Sequence, residues 1–269
     1  MGDMMRPNAT SKRSWLAVWC LALASGCGQD LNVGSDVLFT SRFEYGGSSF
    51  PEWRSVGGGA NAYTPAGDTI EVSSDEFHPP GKFAAKLTVT GTAGNTAGNG
   101  ASFVLNGGLP SQAYYSSWYY LPSYVTVGLY WVIMKFRMSD LAGNPAELFD
   151  VNLKNANGGM SLRVWDHQTG TDLPLVGTDA STDGPNIPVE EWFQLEAFYR
   201  DAFDNSGRFT LWLDGQKIVD YPGATGPTPW VAWDVVSVGD NLTPEPAILY
   251  VDDCAISKSR VGPTGLIAK

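Results

Sequence analysis

The side chains best placed to do chemistry lie in three stretches near the middle of the chain: LYWVIMKFRM (129–138), LFDVNLK (148–154) and MSLRVWDH (160–167). Each alternates with a period of two, the spacing at which an extended strand sends successive side chains to opposite faces. If Val132, Met134, Phe136 and Met138 face a core, then Trp131, Ile133, Lys135 and Arg137 face away from it. The same phase places Phe149, Val151 and Leu153 inside and Asp150, Asn152 and Lys154 outside. It also places Met160, Leu162 and Val164 inside, with Ser161, Arg163, Trp165 and His167 outside. Indole rings stack on sugar rings, while Arg, Asn and Asp fix hydroxyls or carboxylates. The competing reading is an ordinary polar face with ion pairs such as Asp150 with Arg163. Two tryptophans left in water without purpose weigh against that.

Other chemistries lack their residues. The chain has two histidines, His78 and His167, and His78 sits in a Pro-Pro loop where it reads as incidental. There is no Gly-Lys-Ser/Thr phosphate loop, HExxH, CxxC or Gly-x-Ser-x-Gly motif. A formal net charge of −11 and the lack of a basic stripe exclude nucleic acid as a partner.

The elements that must position these residues are strands. EEWFQLEAFYRDAFDNSGRFTLWLDGQKIVDY, from Glu190 to Tyr221, reads as a three-strand antiparallel meander. Phe193, Leu195, Ala197 and Tyr199 alternate with polar neighbours, Phe209, Leu211 and Leu213 repeat the pattern, and Asp214-Gly215 supplies a tight hairpin turn. About a dozen such short strands follow from Val37 to Ser257, with no helical periodicity beyond the first thirty residues. A content of 31 Gly and 17 Pro fits many turns. The expectation is an all-β, two-sheet antiparallel sandwich over 37–257, with a frayed tail over 258–269.

The N-terminus reads differently. Arg6, Lys12 and Arg13 precede an apolar run, Trp15–Ala24, too short to span a bilayer as a stable helix. Ala24-Ser25-Gly26-Cys27 then resembles a bacterial lipobox. That resemblance implies cleavage before Cys27, diacylglycerol on its thiol, a tether over 27–36, and a lipid-anchored protein of the outer membrane or cell surface. The alternative is an ordinary secretory signal with an incidental Cys. With Cys20 removed and Cys27 lipidated, Cys254 stands alone as a small buried hydrophobe, and no intramolecular disulfide is possible.

Several segments together resemble the concanavalin-A-like jelly-roll superfamily: SSWYYLP (116–122), WVIMKF (131–136), PVEEWFQLE (188–196), GRFTLWLDGQKI (207–218) and YVDDCAIS (250–257). The superfamily includes laminin-G-like domains, carbohydrate-binding modules and polysaccharide lyases, so the resemblance points to fold more than to activity. In many relatives a Glu after the first strand's Phe and an Asp in the last strand hold a structural Ca²⁺. Glu44 and Asp252 occupy those places, with Asp75 a weaker third ligand. Two buried carboxylates need a cation, and hard oxygen ligands suit calcium. Alternation turns Asp252 inward and Asp253 outward.

For catalysis the resemblance implies less. A uronate lyase needs a group to neutralise the carboxylate, a base, and a proton donor to the leaving oxygen. Lys135 and Arg137 stand where relatives carry a Gln/His pair, and the RSELR-like strand is missing. His167 with Tyr119 or Tyr120 would have to substitute. Laminarinase-like relatives carry Glu-x-Asp-x-Glu on one strand face. Here Glu147-Leu-Phe-Asp150-Val-Asn152 has the wrong spacing and Asn for an acid, which disfavours hydrolysis. The sequence therefore points first to glycan binding through Trp131, Lys135, Arg137, Asp150, Asn152, Arg163 and Trp165. A divergent polysaccharide lyase and a purely adhesive module are the alternatives.

Overall fold

The computed structural model describes residues 36–46, 50–53, 62–63, 67–90, 100–106, 109–139, 145–177, 183–226 and 231–264. The expected signal peptide, the expected lipidation site Cys27 and nearly all of the expected tether lie outside the described residues. In chain order the strands are β1 (Val37–Ser41), β2 (Ala62–Tyr63), β3 (Thr69–Ser73), β4 (Ala84–Val89), β5 (Gly100–Asn106), β6 (Gln112–Tyr120), β7 (Thr126–Ser139) and β8 (Pro145–Ala156). They continue as β9 (Gly159–Asp166), β10 (Thr171–Asp172), β11 (Asn186–Ile187), β12 (Trp192–Arg200), β13 (Arg208–Leu213), β14 (Gln216–Pro222), β15 (Val231–Thr243) and β16 (Ala247–Ser257).

Two antiparallel sheets result. The first runs β14-β13-β12-β6-β16-β4-β3, with β1 also on β16. The second runs β10-β9-β8-β7-β15-β5-β2, with β11 on β9. The expected meander is β12, β13 and β14. Its Asp214-Gly215 turn has φ of 47° and 79°, the pair of left-handed residues that a type I′ hairpin requires. Asn157-Gly158, at 52° and 75°, does the same between β8 and β9. Aromatic side chains from both sheets meet in the core. Phe136 of the second sheet stacks on Tyr199 of the first with centroids 5.3 Å apart, and Phe149 stacks on Phe209 at 4.6 Å. Each such pair contributes about 0.5–1.5 kcal/mol beyond its area burial.

Strict alternation fails in β7, and Trp131 is the casualty. The pairing of β7 with β8 slips between Val132 and Met134, and that with β15 slips between Val235 and Val238. A bulge of this kind adds a residue to one strand and reverses its facing. Ile133 and Met134 therefore both enter the core cluster. Val132 turns to the side of its partner Asn152, and Trp131 turns inward. Trp131 has 0% exposure, and its Nε1 donates to Ser237 Oγ at 2.9 Å. Its expected place on the outer face is thus corrected: it is a core residue.

The last residues are not a frayed tail as far as residue 264. Glu196, fully buried on the outward side of β12, accepts from Arg260 Nε at 2.9 Å and from the backbone N–H groups of Val261 and Gly262. Gln194 Nε2 donates to the Gly262 carbonyl at 2.9 Å, and the Arg260 guanidinium lies 4.3 Å from the Trp212 ring centroid. The segment straps across the first sheet because a buried carboxylate needs donors that the sheet itself does not supply.

Candidate functional site

The outer face of the second sheet assembles most of the expected side chains. Directly opposed residues of antiparallel strands share a face. One row across β15, β7, β8, β9 and β10 reads Asp234, Lys135, Asp150, Trp165 and Asp172. Asn152 pairs with Arg163 in the next row. Arg163 lies over Trp165, 5.8 Å from its ring centroid, and both are half-buried. Trp165 keeps the outward position that Trp131 loses.

Glu147 joins them, and alternation alone places it with the core. Phe136 pairs with Phe149 but Arg137 pairs with Glu147, so Leu148 is the extra residue of a second bulge. Leu148 and Phe149 both go into the core. Glu147 and Asp150 therefore share the outer face three positions apart. Two large apolar residues in a row between two acids, ELFD, is the only trace of this in the sequence.

The resulting cluster is tight. His167 Nε2 lies 3.0 Å from Asp150 Oδ2 and 3.3 Å from Glu147 Oε2. Lys135 Nζ bonds Glu147 Oε1 and lies 3.7 Å from Asp150. Arg137 meets Asp234 through two nitrogens, Nε at 2.6 Å and an Nη at 3.0 Å. The expected Asp150–Arg163 pair does not form; Arg163 lies 3.7 Å from Asp172 instead. Asp150 is 6% exposed, and its Oδ1 is buried without a hydrogen-bond partner.

Charge decides what these groups can do. Burial alone would lower the pKa of the Lys135 ammonium, but Asp150 and Glu147 more than offset it and hold it above its ordinary value. Burial would raise Glu147, yet Lys135 and His167 hold its carboxyl below the usual range. The hydrogen bond to Asp150 raises His167, with further help from Glu147. Burial pushes Asp234 up to about 6 despite Arg137. Tyr130 is raised by burial and by Asp240, so it stays a neutral hydroxyl. At neutral pH Lys135 is a cation rather than a base.

A pH dependence follows. His167 gains its proton's stabilisation only in the folded state, so its contribution is complete below the unfolded value of about 6.5 and is lost as pH rises through the folded value. Melting temperature is expected to fall from pH 6 to pH 8. His167→Gln should flatten that slope; an unchanged slope would mean that the imidazole is not held by Asp150.

Tyr119 is corrected as a proton donor. It lies on β6 of the opposite sheet at 0% exposure, with its hydroxyl 3.4 Å from the Ile133 carbonyl inside the core. Tyr120 faces outward from that same first sheet, against Trp192 and Tyr250. Neither tyrosine shares the face of His167. Tyr130, which spacing did not single out, does.

The expected metal ligands are brought together elsewhere. A Cβ added at Gly81 would lie 2.7 Å from Glu44 Oε1, 2.9 Å from the His78 carbonyl oxygen and 3.5 Å from Asp252 Oδ2. These three oxygens gather around the Gly81 backbone, where a side chain would clash with them. The Asp252 carboxyl is raised well above its ordinary value, by burial first and then by Asp253 and Glu44. Asp253 does not point into solvent as expected. It is buried, has φ of 44°, and pairs with Arg42 at 2.8 Å and His78 Nδ1 at 2.7 Å. His78 is likewise far from incidental: its ring stacks on Trp118 at 3.9 Å and its N–H donates to Asp252 Oδ2. Asp75 stays outside this group and pairs with Lys86 at 3.1 Å. Asp253 is ion-paired to Arg42 and hydrogen-bonded to His78, whereas Glu44 and Asp252 accept only backbone N–H groups and have no ion pair among the described residues. An all-oxygen set with excess negative charge fits a hard cation such as calcium.

No protein-family model matches the chain, and no curated protein matches it. Solved structures do. The endo-β-1,4-glucuronan lyase of the fungus Trichoderma reesei superposes with a TM-score of 0.62 at 15% identity, covering 83% of this chain and 96% of that one. The marine alginate lyase of Aplysia kurodai gives 0.53 at 12% identity, over 83% and 99%. The carbohydrate recognition domain of Emp47p gives 0.51 at 8% identity, over 84% and 99%. The fold is therefore a concanavalin-A-like jelly roll. At such identities the likeness is one of fold, and the side chains must carry the function.

Proposed function

We propose that the protein binds a polysaccharide across the outer face of its second sheet. The observation that carries this is the row Lys135, Asp150 and Trp165 with Arg163 and His167 beside it. It sets an aromatic platform in line with a cation and a carboxylate on one face of the sheet. Two lyases and a carbohydrate recognition domain among the similar folds support a glycan as partner.

Lyase chemistry is the second reading, favoured by the contact of His167 with Asp150 beside Lys135 and Tyr130. Against it, Lys135 and Tyr130 both keep their protons at neutral pH and the raised pKa of His167 favours its protonated form, so the site has donors where elimination needs a base. Incubation with uronate polysaccharides should give no rise in ultraviolet absorbance from unsaturated products. Retention in a glycan-containing gel should weaken at least tenfold in Trp165→Ala, the scale of losing one aromatic anchor. Product formation abolished by His167→Ala would replace binding with the lyase reading.

Calcium held by Glu44, Asp252 and the His78 carbonyl is part of this proposal; it would supply charge balance between the terminal strands rather than chemistry at the glycan face. Lipid attachment at Cys27, placing the domain on the bacterial envelope, rests on the basic, apolar and Ala-Ser-Gly-Cys succession of the first 27 residues.

A further inference from the structure

We infer that the glycan bound by this face is uncharged, an inference that rests on the glycan-binding reading and narrows it. The lyases of similar fold are named for glucuronan and alginate. An anionic sugar needs a cation that the protein has not already matched, since carboxylate recognition works through bidentate or charge-assisted donors.

Each described cation of this face already has a carboxylate. Lys135 has Glu147 and Asp150, and Arg137 is ion-paired to Asp234 with one hydrogen bond from an Nη. Lys154 has Asp183 at 2.7 Å, and Arg163 has only the longer, half-exposed contact with Asp172 at 3.7 Å. With Asp240 beside Tyr130, acids outnumber the lysines and arginines of the face, and a protonated His167 does not reverse the balance. A uronate laid here would meet net negative potential from the described side chains.

Trp165 takes the apolar face of the sugar ring, where a neutral pyranose presents C–H groups.

The test is affinity electrophoresis of the full chain in gels containing either neutral polysaccharides (mixed-linkage β-glucan, galactomannan, hydroxyethyl cellulose) or anionic ones (polyglucuronate, alginate, polygalacturonate). Each gel is run at low and at high salt. Retardation by a neutral glycan that is lost in Trp165→Ala and unmoved by salt is the expected result. Asp172→Asn, at the half-exposed end of the row, frees Arg163 and should confer weak, salt-sensitive retardation on the anionic gels. Salt-sensitive retardation of the native protein by a uronate, lost in Trp165→Ala, would overturn the neutral-glycan inference while leaving the glycan site standing. Retardation by no gel at all would overturn both.

Discussion

Trp131→Ala is expected to lower the unfolding free energy by about 3–5 kcal/mol, the range for emptying a large aromatic site in a core that relaxes only in part. In a domain of this size each kcal/mol moves the melting temperature by roughly 2–4 °C, so the loss is visible in any thermal scan. The indole is fully buried, and its removal also orphans the hydroxyl of Ser237. Glycan affinity, measured below the melting transition, should stay within twofold of the native value. Trp165→Ala should invert the pair of outcomes, with weak binding and nearly native stability, because its ring lies half-buried on the outer face against Arg163. If Trp131→Ala costs less than 1 kcal/mol but abolishes binding, the register of β7 is wrong.

That pair of tryptophans shows how far periodicity carries. β12 and β13, Trp192–Arg200 and Arg208–Leu213, run over the residues that alternation marks, and β16, Ala247–Ser257, contains the YVDDCAIS segment. The outward set Lys135, Arg137, Asp150, Asn152, Arg163 and Trp165 also keeps its face. What was not legible are the slips. A period of two predicts facing only while the ladder stays in register, and one extra residue reverses everything beyond it. One bulge moved Trp131 inward, and another brought Glu147 out to Asp150 and His167. In the last strand the slip after Asp252 buried Asp253 beside Arg42 and His78. The short strands β2, β10 and β11 left no pattern, since two residues cannot show a period. Charge matching was equally hidden: the sequence offers Lys135 and Arg137 as free cations, and only cross-strand register reveals the acids that neutralise them.

Chelation is expected to produce the second large effect, at Glu44 and Asp252. A ligand at a hundred times its dissociation constant stabilises the native state by about 2.7 kcal/mol, so stripping the calcium proposed at Glu44 and Asp252 should lower the melting temperature by roughly 5–10 °C. The gap should widen with pH. Without the ion, the folded chain keeps a proton on Asp252 that the unfolded chain releases near pH 4, because burial, Asp253 and Glu44 raise its carboxyl. A folded state that holds more protons than the unfolded one loses stability as pH rises from that value. The ion replaces that proton and cancels the loss, so calcium matters more at pH 8 than at pH 5. Asp252→Asn should melt at the same temperature with and without chelator, whereas Asp75→Asn should keep the native response because Asp75 pairs with Lys86 away from the site. A native melting temperature indifferent to chelator at pH 8 would mean that a proton, not a cation, resolves the charge shared by Glu44 and Asp252.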